Sequence, residues 1–241
     1  MTIETENSNE TGNGRDRHSV LRYALFDLDE TLYSSEAGVM QQLSHRIDRY
    51  MIERVGLAPE YARDVRPSYW RTYGTTLRGL MQEHDVDPTD YLAFVHDFRV
   101  DQYLAPDPIL AQSLRAFPLE KVIFTNSSAD HCQRVMEALG IREQFTRVFD
   151  IVSVGYRNKP DSASYHSVLL ALEADGGECM MIDDNLANLR AAGALGMTTV
   201  HVGPERQDVV SDFALRRASQ IGTLVPKLVA QGLLNADQAH P

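Results

Sequence analysis

Phe26-Asp27-Leu28-Asp29-Glu30-Thr31-Leu32-Tyr33 follows directly on an apolar run at residues 20–25. The run Val20-Leu21-Arg22-Tyr23-Ala24-Leu25-Phe26 is short and shows no polar period, so it predicts a buried strand of a parallel sheet. Asp27 and Asp29 then arrive at its carboxyl end, with Thr31 two residues further on. Open α/β sheets bind their ligands there, outside the carboxyl ends of the strands. Buried carboxylates require a cation or a hydrogen-bond network. Spaced two apart in slightly irregular backbone, the two can face one small volume. Asp-x-Asp alone is equally compatible with an acidic turn.

Working outward, 241 residues provide for one large domain, or one domain with an insertion, and a substantial core. The 43% hydrophobic and 24% charged fractions are those of a globular protein. A formal net charge of −11 argues against nucleic-acid or anionic-membrane binding through a basic surface, though not against an anionic substrate in a locally positive site. No apolar run is long enough for a membrane span. Residues 1–18 are polar and lack a signal-peptide core, so they are expected to be a disordered tail and the protein cytoplasmic. Cys132 and Cys179 have neither metal-ligand nor disulfide spacing and read as small core residues. The only lysines are Lys121, Lys159 and Lys227, in a chain that otherwise uses arginine. A compact ammonium suits a point contact to phosphate or carboxylate.

After the acidic motif, apolar residues at helical spacing predict a helix over 36–55, and the strand-poor pattern continues to Asp107 with breaks at Pro59, Pro67, Pro88, Pro106 and Pro108. A helix is expected after Asp87-Pro88. Strand–helix alternation then resumes: strands at 121–125, 148–154, 179–182 and 198–202, helices at 129–139, 162–174 and 185–195. Five strands alternating with helices predict a doubly wound, Rossmann-like parallel α/β sheet. Residues 34–113 are then an inserted all-helical cap, and residues 19–33 with 114–235 the core. From Val209 onward the chain reads as helical and polar.

Three more strand ends carry polar clusters. Thr125-Asn126-Ser127-Ser128 precedes a helix, where a hydroxyl and free backbone N–H groups can cradle phosphate; a plain Ser/Asn helix cap is compatible with the same residues. Lys159 stands at the mouth of the next helix, in Arg157-Asn158-Lys159-Pro160-Asp161, and alone would read as a solvated loop lysine. Asp183-Asp184 end the wholly apolar strand Cys179-Met180-Met181-Ile182. Carboxylates at two strand ends offer a hard oxygen site suited to Mg²⁺. A hydroxyl and a lysine at the other two complement it for phosphoryl transfer, and carboxylates can serve as its nucleophile.

The order DxDxT, Thr-Asn, Lys-Pro-Asp and Asp-Asp followed by Asn188-Leu189 resembles the four motifs of the haloacid dehalogenase (HAD) superfamily. The insertion, with Tyr69-Trp70-Arg71-Thr72-Tyr73-Gly74-Thr75-Thr76-Leu77-Arg78-Gly79-Leu80 and Tyr91-Leu92-Ala93-Phe94-Val95-His96-Asp97, is similar to the helical cap of the pyrimidine 5′-nucleotidase-like branch. The resemblance implies a Mg²⁺-dependent phosphomonoesterase acting on a small phosphorylated substrate, a pyrimidine nucleoside 5′-monophosphate first. Asp27 would be the nucleophile and Asp29 the acid and base. Mg²⁺ would be held by Asp27, the Asp29 carbonyl and Asp183, with Asp184 nearby. Thr125, Asn126 and Lys159 would bind the phosphate, and Tyr73, Thr75, Thr76, Arg78 and His96 would face the nucleoside. Trp70, Tyr73 and His96 are equally readable as core residues. The alternatives are a phosphatase for another small metabolite and a non-catalytic regulatory protein on the same scaffold. Oligomeric state is left open.

Overall fold

The strand ahead of the acidic motif is β1, Tyr23–Phe26, buried throughout. Tyr23 and Leu25 enter one apolar cluster, Ala24 and Phe26 the other, so both faces of the strand are covered and no polar period survives. The computed structural model describes residues 20–204 and 210–239; the tail expected at 1–18 lies outside the described residues. Among the described residues, β1 is joined by β2 (Glu120–Phe124), β3 (Arg147–Phe149), β4 (Cys179–Asp183), β5 (Thr198–Val202) and β6 (Phe213–Leu215). All neighbours pair in parallel, in the order β3-β2-β1-β4-β5-β6. The strand order reverses beside β1, so the carboxyl ends of β1 and β4 flank the switch point where such sheets bind ligands.

Four helices follow β1: α1 (Val39–Glu53), α2 (Pro59–Tyr73), α3 (Thr76–His84) and α4 (Pro88–His96). Their apolar residues Tyr50, Tyr69, Leu80 and Tyr91 join the cluster that covers the Tyr23 face of the sheet. Helix α5 (Pro108–Ala116) leads into β2 and packs on a 3₁₀ segment, Ala218–Leu224, through Leu110, Leu114 and a Ser113 Oγ to Ser219 carbonyl bond of 2.6 Å. Helices α6 (Ala129–Leu139), α7 (Ser162–Leu172), α8 (Leu186–Ala194) and α9 (Val225–Ala230) complete the layers. Cys132 and Cys179 are free, fully buried core residues, and burial pushes both thiols up to about 12.

Three sequence expectations are corrected. Pro67 does not break the chain: α2 runs through it, because Pro67 and Arg63 are both exposed and the Arg63 carbonyl left without an N–H partner can turn to water. Pro59, Pro88 and Pro108 instead begin helices, where the missing N–H costs nothing. The strand expected at 148–154 stops at Phe149, since Asp150 accepts the backbone N–H groups of Ala129 and Ser153 and folds the chain into turns. The segment after residue 209 is helical from Ala218 to Ala230, as expected, but it is not polar throughout. It contributes β6 and buries Phe213, Leu215, Ile221, Leu224 and Leu228 in the core.

Candidate active site

The carboxyl ends of β1 and β4 bring Asp27, Asp183 and Asp184 together, with one carboxylate oxygen of each within 4.8 Å of the others. Lys159, fully buried although it comes from a loop, spans two of them: its Nζ is 2.9 Å from Asp27 Oδ1 and 2.8 Å from Asp183 Oδ2. Its loop is pinned through the backbone. The Asn126 side chain accepts the Lys159 N–H at 2.8 Å and donates to the Lys159 carbonyl at 3.1 Å, ahead of a cis Lys159–Pro160 bond. The Asn126 side chain thus supports the lysine. Thr31 Oγ1 lies 3.3 Å from Asp27 Oδ2 and 3.1 Å from Asp184 Oδ1, and accepts the Asp184 N–H at 3.0 Å. Asn188 Nδ2 donates to both oxygens of Asp183.

Three carboxyls cluster while one ammonium bridges two of them, and the electrostatics follow from that imbalance. Burial drives the Asp27 carboxyl well above its usual range, and Asp183 adds to the effect against the pull of Lys159. Burial and then Asp183 raise Asp184 to about 7. Burial also works against the charge of Lys159, but Asp183 and Asp27 outweigh it and raise its pKa. An excess of clustered, hard oxygen donors is the donor set of a divalent cation such as Mg²⁺, so the residues present fit such an ion.

Asp29 is held differently. Tyr33 and Ser127 donate to it, each at 2.6 Å, and His131 Nε2 is 3.1 Å from Oδ1. Burial opposes its charge, yet the His131 ring and these hydrogen bonds hold the carboxyl well below the usual range.

Asp27, Asp29, Thr125, Asn126 and Asp184 line one cavity of about 390 Å³, walled on the helical side by Trp70, Thr75, Thr76 and His96. Thr125 is buried, and its hydroxyl accepts the Ser127 N–H at 3.0 Å. Tyr73 and Arg78 are not part of the lining: the Tyr73 hydroxyl bonds Glu83, and Arg78 reaches the Tyr156 carbonyl and Asp161. At the α2–α3 junction Gly74, at φ +83°, presses on Asn158; an added Cβ would meet Asn158 Nδ2 at 2.3 Å. Thr31 and Asn188 were visible as parts of the motifs. Trp70 stood in the cap string but was equally readable as core, while Arg66 and His131 carried no such signal, since a His in an amphipathic helix is equally a core residue.

A family model for haloacid dehalogenase-like hydrolases matches residues 21–196, which include every strand end described above except those of β5 and β6. The chain belongs to this family. Among curated relatives of this HAD-like hydrolase is Phosphate metabolism protein 8 of Saccharomyces cerevisiae, 27% identical over 187 residues, 71% of this chain. The match takes in 58% of that protein's length. Among solved structures, a HAD phosphatase from Thermococcus onnurineus matches with TM-score 0.59 and 20% identity over 85% of this chain and 98% of its own. An L-2-haloacid dehalogenase from Xanthobacter autotrophicus, with chloropropionic acid covalently bound, matches with TM-score 0.56 and 17% identity over 88% and 99%. At these identities the structural likeness establishes the HAD fold, which phosphatases and dehalogenases share.

Proposed function

We propose that this HAD hydrolase is a Mg²⁺-dependent phosphomonoesterase that works through an aspartyl-phosphate, with a pyrimidine nucleoside 5′-monophosphate as its substrate. The observation that carries this reading is the cluster of Asp27, Asp183 and Asp184, two of them paired with Lys159, with Asp27, Asp184 and Asp29 on one cavity. A dehalogenase displacing halide needs neither an acidic cation site nor a second carboxyl to protonate its leaving group. A phosphatase needs both.

Asp29, a carboxylate in the free protein, takes up a proton from solvent as the negatively charged phosphate settles beside it; Asp27 then attacks phosphorus in line, and the ester oxygen leaves with that proton. Asp29 then takes a proton from the water that hydrolyses the aspartyl-phosphate, one carboxyl alternating as acid and base. Lys159 compensates the charge gathered on Asp27, and Thr125 stands at the phosphate end of the cavity. Held by Asp27, Asp183, Asp184 and the Asp29 backbone, Mg²⁺ would supply neutralisation of the transferring group's charge. Helices α1 to α4 form the cap that shields the step from water.

The nucleoside reading rests on the cavity's outer wall, where Trp70 is 57% exposed and offers a stacking surface beside Thr75 and Thr76. Phosphate release from a panel of nucleoside 5′-monophosphates and sugar phosphates, with Asp27→Asn protein as blank, tests it. Preference for UMP or CMP supports the reading. Preference for sugar phosphates overturns the substrate and leaves the chemistry standing, and release from none overturns both.

A further inference from the structure

His131 occupies the first turn of α6, fully buried, and the phosphoryl-transfer chemistry above makes no use of it. Its Nδ1 is buried without a hydrogen-bond partner, while its Nε2 meets Asp29 Oδ1 at 3.1 Å. An orphaned nitrogen in the interior destabilises a fold, and an apolar side chain of the same size would avoid that cost. The contact with Asp29 is what an apolar side chain would not provide.

The ring is also locked in its plane. His96, the last residue of α4, stacks on it with centroids 4.5 Å apart and planes 18° from parallel. His96 Nδ1 is 2.9 Å from Ser128 Oγ, the same oxygen that accepts the His131 N–H at 3.4 Å. Arg134 Nη2 donates to the His96 carbonyl at 2.8 Å. The end of α4 is thereby fastened to the start of α6, and His131 cannot swing away from Asp29 without displacing it.

We propose that His131 is a positioning residue for Asp29, and that His96 holds the His131 ring in place from the helical cap. This rests on the phosphatase reading and deepens it. Tyr33, Ser127 and His131 anchor the Asp29 carboxyl from the loop after β1, the mouth of α6 and its first turn. Removing His131 leaves two hydroxyl anchors, one on each oxygen. A displacement of the carboxyl by about 1 Å is enough to slow proton transfer to a leaving oxygen about 10- to 100-fold. Esters whose leaving group departs unprotonated are affected far less.

The test is steady-state kinetics with Mg²⁺ on UMP (or whichever alkyl phosphate the wild type prefers) and on p-nitrophenyl phosphate. His131→Leu fills the space without a donor, and His131→Gln returns an amide nitrogen near the Nε2 position. His131→Leu is expected to lose about 10- to 100-fold in kcat on the alkyl ester with little change in KM, and under about 3-fold on the aryl ester. His131→Gln is expected to recover most of the loss, and His96→Ala to show a smaller loss with the same selectivity. Equal losses on the two esters, no loss at all, or no recovery by His131→Gln overturns the proposal while wild-type turnover keeps the phosphatase reading. A wild type that releases no phosphate from either ester overturns both. Should His131→Leu fail to fold, the His131→Gln and His96→Ala ratios of alkyl to aryl turnover decide: both unchanged from wild type overturns the proposal.

Discussion

Lys159 Nζ lies 2.9 Å from Asp27 Oδ1, and the ammonium has no access to solvent. Removing one member of a buried ion pair leaves an uncompensated charge in the interior, which costs more than the pair itself contributes. Here Asp27 and Asp183 would both be left facing each other. Lys159→Met is expected to lower stability by about 3–5 kcal/mol and to reduce turnover at least about 100-fold. Millimolar Mg²⁺ should return part of the melting temperature, because a cation takes over the missing charge. Calorimetry with and without Mg²⁺ checks the stability and its rescue, and steady-state phosphate release checks the turnover.

Asp27→Asn has the opposite structural consequence. Burial already penalises the Asp27 carboxylate, so a neutral isostere relieves that penalty. The variant is expected to melt within a few degrees of wild type and to release no phosphate. Near-native phosphatase activity in a folded Asp27→Asn protein would exclude Asp27 as the nucleophile.

Burial, reinforced by His131, lowers His96 to about 3. An imidazole whose folded pKa lies below its unfolded value stabilises the fold above pH 6.5, and the contribution is lost as pH falls toward 3. The slope is at most about 1.4 kcal/mol per pH unit. His96→Phe, which cannot titrate, should be less acid-sensitive over this window in urea melts. Parallel pH profiles for the two proteins would contradict the buried neutral ring.

Asp184, raised to about 7, carries the reverse sign: the metal-free protein gains stability from its proton below pH 4 and loses it as pH rises to 7. The same proton competes with a cation. Mg²⁺ affinity, read by calorimetric titration or by the Mg²⁺-dependent rise in melting temperature, should increase with pH and level off above about 7. A pH-independent affinity would remove Asp184 from the site.

Gly74 combines a φ of +83° with a Cβ position 2.3 Å from Asn158 Nδ2. A side chain there costs about 1–2 kcal/mol in backbone conformation and displaces the buried Asn158 beside Lys159. Gly74→Ala is expected to lower the melting temperature by several degrees and to raise KM. Gly56→Ala, at φ +79° with nothing within 4 Å of its Cβ, measures the backbone cost alone.

The doubly wound sheet could be read from the chain because buried parallel strands leave continuous apolar runs, as at Cys179-Met180-Met181-Ile182, with Asp183 at the end. Helix bounds followed where amphipathic periodicity met a cap: α6 begins after Ser128 and ends at Gly140, the bounds read from sequence. β6 escaped notice because three residues are too few to show a period, and its burial depends on α5 and the segment 218–224 closing over it. Asp27, Asp29, Thr125, Lys159 and Asp183 could be singled out through the resemblance of their motifs to those of the HAD superfamily, each beside a strand end or a helix start. Spacing alone left Asp27 and Asp29 readable as an acidic turn and Lys159 as a solvated loop residue. Their pairings could not be singled out, and neither could Arg66 and His131. Local sequence determines which element a side chain rides on and which way its chain period faces. Which nitrogen meets which carboxylate across more than a hundred residues, as His131 meets Asp29, is set only when the α6 mouth, the loop after β1 and the end of α4 pack together. That packing energy belongs to no single stretch of chain.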